Sequence, residues 1–253
     1  MKTRRYAMVL SVLALATASV AASAGNYTLS NTTAIQIPDA PVIDPVGHPS
    51  SPYGTTINIA GATGTITDVS VTLNGFSHSF PGDLGIMLVG PGGQQVMLMG
   101  RLIESSAANN VTLTFNANAA SPVVPSVSGT YLPAYISSEP FPAPAPAVTG
   151  NVDLNVFDGT AANGTWSLFV TDQATEDSGS IAGGWTLNVV TYAPTTCASE
   201  GYTSTKLTWC RNICEMGYTG ATLDMWIHRW VNRYRDLPYC AKDGEEPELP
   251  PSD

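Results

Sequence analysis

Three histidines, four cysteines and twenty acidic side chains are the groups in this chain with chemistry to offer. A serine hydrolase needs an imidazole base oriented by a carboxylate, so His48, His78 and His228 bound what hydrolysis the sequence can support. His48 stands in a Pro- and Gly-rich loop beside Pro49, and His228 falls on the polar side of a C-terminal helical pattern. His78 with a nearby serine and aspartate comes nearest to a triad, but no tight elbow presents a nucleophile. The sequence therefore reads as non-catalytic. A second chemistry is cation binding: Asp172, Glu176 and Asp177 crowd one loop. Calcium takes roughly six to eight oxygens and gains most where acids already repel one another. The competing reading is a solvated acidic turn shaped by Asp and Gly.

All four cysteines lie late in the chain, at 197, 210, 214 and 240. In an exported protein they predict two disulfides, for which three pairings exist. Cys210 and Cys214 are four apart in a short helical segment, about Thr205 to Met216. Their Cβ vectors run nearly parallel there, which disfavours a bond between them and leaves Cys197 with one and Cys240 with the other. Such bridges staple a unit too small for a substantial core, at ~2–4 kcal/mol each. A zinc site built from the four, or from three plus His228, is the rival reading.

The elements that position these groups follow from hydrophobic period. Val69, Val71 and Leu73 alternate with polar residues, as do Val111, Leu113 and Phe115, then Trp166, Leu168 and Val170, then Trp185, Leu187 and Val189. Period two with one wet face is the pattern of antiparallel strands. Gly61, Gly64, Gly75, Gly90-Pro91-Gly92-Gly93 and Gly183-Gly184 punctuate between the runs. With no helical period before Pro194, the fold class is all-β, a jelly-roll-like antiparallel β-sandwich. Trp166 and Trp185 share the aliphatic phase of their strands and are core rather than a sugar platform. From Ala120 to Ala147 seven prolines mark a long extended surface excursion. Tyr131 and Tyr135 within it are the aromatics available to a ligand. After Pro194, Leu223, Trp226, Ile227, Trp230, Val231 and Tyr234 share one arc of an amphipathic helix.

Four boundaries result: a signal peptide over 1–24, the sandwich over 25–194, a Cys-containing helical unit over 195–242 and an acidic, Pro-rich disordered tail over 243–253. Lys2, Arg4 and Arg5 precede an apolar run and the small-x-small pattern Ala22-Ser23-Ala24, which predicts cleavage after Ala24 and a secreted or periplasmic protein. Removing those three bases leaves seven Lys and Arg against twenty acids, a net charge of −13. Between Gly25 and Pro194 eleven acids face a single base, Arg101. That field repels phosphate backbones, so nucleic-acid binding is excluded for the sandwich. The later bases Lys206, Arg211, Arg229, Arg233 and Arg235 predict electrostatic docking of the helical unit on an acidic surface.

Two stretches carry a family resemblance: Ile66-Thr67-Asp68-Val69-Ser70-Val71-Thr72-Leu73 through Pro81-Gly82-Asp83-Leu84-Gly85-Ile86, and Asn163-Gly164-Thr165-Trp166-Ser167-Leu168 through Gly183-Gly184-Trp185-Thr186-Leu187. With the Gly90-Pro91-Gly92 turn they occur in the order and spacing of the P domain, or Homo B domain, of proprotein convertases, and the likeness covers about Ser51 to Val190. It implies a β-sandwich that accompanies a subtilisin-like catalytic domain, for which this chain has no room. It also implies a structural role for His78 beside the Asp83 turn. If the strands pair as in that family, Asp83 and Asp158 approach Asp172, Glu176 and Asp177 as calcium ligands. The reading is an exported module that binds a protein or an envelope surface. The first alternative is an accessory of a subtilisin-like serine endopeptidase, the second a carbohydrate-binding module.

Overall fold

The computed structural model describes residues 23–40, 46–103 and 106–241. The proposed leader and the acidic tail lie outside these, apart from Ser23 and Ala24. The described chain separates into two compact units that meet at Ala193 and Pro194.

The first unit is built from thirteen strands: β1 Ser23–Asn31, β2 Ile35–Ile37, β3 His48–Pro49, β4 Thr55–Ile59, β5 Thr65–His78, β6 Leu84–Val89, β7 Gln95–Gly100, β8 Ala108–Asn116, β9 Gly129–Tyr131, β10 Ala134–Tyr135, β11 Gly164–Asp172, β12 Gly179–Ile181 and β13 Trp185–Ala193. They form a seven-stranded and a six-stranded sheet. In the first, β5 is the spine, with β13 and β12 along one edge and β8 along the other. In the second, β11 pairs with β6 on one side and with β4 and β3 on the other. Ladders are antiparallel except β8–β9 and β7–β10, two short parallel pairs that make both sheets mixed.

The alternating residues fill the space between the sheets. Val69, Val71, Leu73, Leu113, Phe115, Leu187 and Val189 from one sheet meet Leu84, Ile86, Leu88, Leu98, Leu168 and Val170 from the other in one buried cluster. Trp166 and Trp185 are fully buried within it, as their phase predicts. Trp166 Nε1–H donates to the Ala162 carbonyl at 3.1 Å, which satisfies its polar edge.

Gly75 corrects the reading of the sequence. Rather than separating two runs, it lies inside β5 at φ +68°, where the pairing with β8 shifts register between Leu73 and Phe76. A strand that slips by one residue turns its side chains to the other face. Val69, Val71 and Leu73 point inward on odd positions, and beyond the bulge Phe76 and His78 point inward on even ones. Simple alternation would have put His78 in water.

The proline-rich stretch, expected as an extended surface excursion, is partly built into the fold. It contributes β9 and β10, and beyond them it covers the outer face of the second sheet. Met87, Met97 and Phe169 point to that outer face and pack with Phe141, flanked by Tyr53, Tyr135 and Val148. Strands β6 and β7 are therefore buried on both faces, which is why Leu-Gly-Ile-Met-Leu-Val, and Val-Met-Leu-Met-Gly after Gln95, run continuously apolar. Tyr53 ties the cover down: its hydroxyl donates to the Pro142 carbonyl at 2.8 Å and its ring sits edge-on to Phe169 at 5.2 Å.

The second unit holds α1, Ser204–Cys214, and α2, Gly220–Tyr234, with Arg235 closing α2 in the left-handed conformation. Disulfides join Cys197 to Cys210 and Cys214 to Cys240. Trp230 and Ile213 are buried against the cysteines. Among the described residues no helix is long and apolar enough to cross a membrane.

Candidate functional site

Where β5 ends, β6 begins and β11 ends, the sandwich buries a histidine against an aspartate. His78 Nε2 lies 3.4 Å from Asp172 Oδ2, and neither side chain is exposed to solvent. The Phe80 N–H donates to His78 Nδ1 at 3.2 Å, so in the neutral ring the proton sits on Nε2 and faces the carboxylate. Asp172 Oδ1 accepts from the Ala174 N–H at 3.2 Å. The Nε2–Oδ2 approach lacks good hydrogen-bond geometry, which leaves both atoms without such a bond. Register explains the meeting: Asp172 pairs with Leu84 of β6 and His48 of β3, while His78 pairs with Gly179 of β12 and Ala108 of β8. The pair thus links the last residue of the spine of one sheet to the last residue of β11 in the other.

This constellation cannot act as a serine-activating base. A general base needs a ring nitrogen free to take the nucleophile's proton, and both nitrogens of His78 are turned to other groups. The flanking serines are also engaged: Ser77 Oγ accepts from the Asn110 N–H, and Ser79 Oγ accepts from the Ser178 N–H.

Asp83 stands beside the pair. Partial burial pushes its carboxyl above the usual carboxylate range, the negative charges of Asp172 and Asp177 push the same way, and Arg101 and His78 pull against them. The Asp83 carbonyl accepts from the Gln173 N–H at 3.0 Å. Gln173, which the sequence reading passed over, is a buried clamp. Its amide nitrogen donates to Ser138 Oγ at 2.7 Å and its amide oxygen accepts from the Glu139 N–H at 3.0 Å, so it fastens the excursion to the end of β11. No motif signals such a residue, because its partners are distant in sequence.

The five acids singled out for calcium divide between the two ends of the sandwich. Asp83, Asp172 and Asp177 are neighbours. Glu176 is exposed, with its backbone N–H on Asp39 Oδ1 at 2.7 Å. Asp158 stands elsewhere, next to Asp68 and Asp153, and burial pushes its carboxyl up as well. The Gly159 N–H donates to the Ile66 carbonyl at the start of β5. Twelve residues of strand, roughly 35–40 Å at the usual rise, separate that point from His78. Among the described residues no three carboxylate or imidazole groups bring ligand atoms within 4.8 Å of one another. Among the described residues the acidic loop is thus not an assembled carboxylate cage.

Tyr131 is a further correction. It is buried, because β9 brings it onto β8 opposite Phe115, and its hydroxyl donates to the Val127 carbonyl at 3.0 Å. Tyr135 is half-buried and lines a cavity of about 570 Å3 with Phe141, Pro140, Ser138 and the alanines of the excursion. One accessible tyrosine does not make the two-ring platform a sugar would stack on.

In the helical unit Lys206 Nζ lies 4.8 Å from the Tyr202 ring, 5.3 Å from Trp230 and 4.9 Å from Tyr234, with Asp236 Oδ2 at 3.7 Å. Asp236 Oδ1 also accepts from Trp230 Nε1–H. Arg211 pairs with Glu215. Arg229 and Arg233 instead lie over Trp226 and Trp209, without a carboxylate within 4.0 Å among the described residues. His228 is exposed and is not among the grouped cysteine ligands.

Comparison with known proteins places part of this architecture. No curated protein matches the chain. Two crystal structures of Aeromonas sobria proteins are similar over part of their length. One is the serine protease in complex with its chaperone, at 17% identity and TM-score 0.34, with 68% of this chain and 27% of that one covered. The other is the serine protease by itself, at 17% identity and TM-score 0.31, with 67% and 27% covered. This chain therefore spans about a quarter of the length of those structures. The family model for the proprotein convertase P-domain matches residues 66–131, from β5 through β9. That segment, which includes β5, the spine of the first sheet, is where the chain is similar to a proprotein convertase P-domain.

Proposed function

We propose that this chain is an exported, non-catalytic P-domain module that works by binding another protein or an envelope surface. The observation supporting it is the His78–Asp172 pair: the best-placed base in the sequence is shut inside the sandwich, with Nδ1 bonded to the Phe80 N–H and Nε2 sealed from solvent against Asp172. A P domain is in general an accessory, and the match over 66–131 favours accessory work here. The finer form of that reading makes the partner a subtilisin-like serine endopeptidase acted on in trans. Pull-down from the native exported fraction tests both. Stoichiometric recovery of a subtilisin-like protease, whose lifetime shortens when this chain is absent, supports the finer form. Recovery of some other exported or envelope protein supports the general one. Turnover of peptides by the purified chain alone overturns both.

A further inference from the structure

The two disulfides of the helical unit are not separate staples. Sγ atoms of Cys197, Cys210 and Cys214 all lie within 4.8 Å of one another, and Cys240 is bonded to Cys214. Cys210 Sγ and Cys214 Sγ, which belong to different bridges, are 4.0 Å apart. Helical spacing causes this, because positions i and i+4 of α1 project from one face. Cys197 arrives from the segment before α1 and Cys240 from the short 3-10 turn Tyr239–Ala241 after α2. Four thiol-bearing side chains from three segments therefore converge on one point, walled by Ile213 and Trp230.

We propose that this cluster has a second chemical state: with both bridges reduced, the four sulfurs form a tetrathiolate site for a soft divalent metal of the zinc class. Zinc–thiolate bonds of ~2.3 Å in a tetrahedron set neighbouring sulfurs about 3.8 Å apart. The Cys210–Cys214 spacing already has that value to within a few tenths of an ångström. Each bonded pair must open from ~2.05 Å to about 3.8 Å, under ~1 Å of movement per sulfur and within reach of side-chain rotation. Burial keeps water out of at least half of the shell, since Cys197 and Cys210 are fully buried. The Cys197 N–H is already fixed by Glu215 Oε1 at 2.7 Å, which anchors the first ligand's backbone.

Reduction needs an external dithiol, one for each bridge. Each bridge takes two electrons and two protons from a dithiol, which leaves as its own disulfide. Metal binding then releases the four thiol protons to buffer. The functional gain is a unit that stays folded in either redox state, because a core this small needs a staple of one kind or the other.

The test uses the full chain, reduced with a phosphine under exclusion of oxygen and titrated with cobalt(II). The expected result is the intense visible spectrum and sulfur-to-cobalt charge transfer of a tetrahedral tetrathiolate, saturating at one metal per chain and displaced by zinc. Helical dichroism lost on reduction should return with the metal. Cys197→Ser and Cys214→Ser should each abolish the tetrathiolate spectrum, and the oxidised chain should give none. Weak octahedral absorption alone from the reduced wild-type chain overturns the proposal. So does a tetrathiolate spectrum that survives either substitution. Because the readout is the ligand field of the metal, it is independent of whether the sandwich binds a partner.

Discussion

Replacing His78 by leucine is the perturbation that the buried pair makes most quantitative. In the folded chain Asp172 is fully inaccessible, its Oδ1 is held by the Ala174 N–H, and its Oδ2 has only the imidazole Nε2 within reach. His78→Leu leaves that carboxylate buried with nothing opposite Oδ2. Removing one partner of a buried pair costs about 3–5 kcal/mol, whereas replacing both by apolar groups is often close to neutral. For a domain of this size each kcal/mol moves Tm by ~2–4 °C, so the single variant should melt roughly 6–20 °C below the parent. Asp172→Leu should also be costly, because it removes the carboxylate that faces the buried imidazole and strips the Ala174 N–H of its partner. The double variant should recover much of the loss, with a coupling energy of at least ~2 kcal/mol. Urea unfolding followed by the fluorescence of the buried Trp166 and Trp185 reports all four proteins. A His78→Leu cost below ~1 kcal/mol would refute the reasoning, as would single effects that add within ~0.5 kcal/mol.

Three further outcomes follow from the same coordinates. Because the Asp83 carboxyl is pushed up by burial, the folded chain holds that proton more tightly than the unfolded one, and ionisation works against folding. The penalty is absent below the ordinary carboxylate range and complete once pH has risen through the shifted value. Asp83→Asn should therefore raise Tm by roughly 1–2 °C at neutral pH and leave it unchanged at about pH 3; a larger gain in acid would reverse the sign. Gly75→Ala, at φ +68° with its Cβ directed 3.2 Å from Asn110 Oδ1, should cost about 1–2 kcal/mol by thermal melting, and neutrality would mean the bulge relaxes freely. Tyr53→Phe should cost about 1 kcal/mol and speed proteolysis within 136–148, since only the Pro142 contact is lost; unchanged cleavage there would show that the excursion is held by packing alone.

Local pattern made the sandwich legible. Strands such as β13 have one wet face, and the phase of Trp185, Leu187 and Val189 therefore states which face is dry. Trp166 and Trp185 were readable as core for that reason. The disulfide pairing was likewise readable down to which cysteines are not joined, since helical geometry already separates Cys210 from Cys214. What alternation cannot carry is a change of phase. The Gly75 bulge reverses the inward face within one strand, and only the partner strand's register reveals it. Strands buried on both faces, β6 and β7, lose their period altogether, so alternation reveals neither the cover over Met87, Met97 and Phe169 nor the burial of Tyr131. The acids are illegible for a related reason: no local pattern states which strand ends come together, and the length of β5 separates Asp158 from Asp83.

Catalytic silence of the purified chain is the most direct trial of the account. Full-length protein, freed of copurifying proteases, is incubated with a fluorogenic peptide library and with a serine-reactive fluorophosphonate probe. Fluorescence should stay at the blank and the probe should leave the chain unlabelled, because the imidazole of His78 is sealed from substrate inside the sandwich. Turnover that tracks this chain through purification, with a labelled serine mapped onto it, would contradict the claim that it acts by binding.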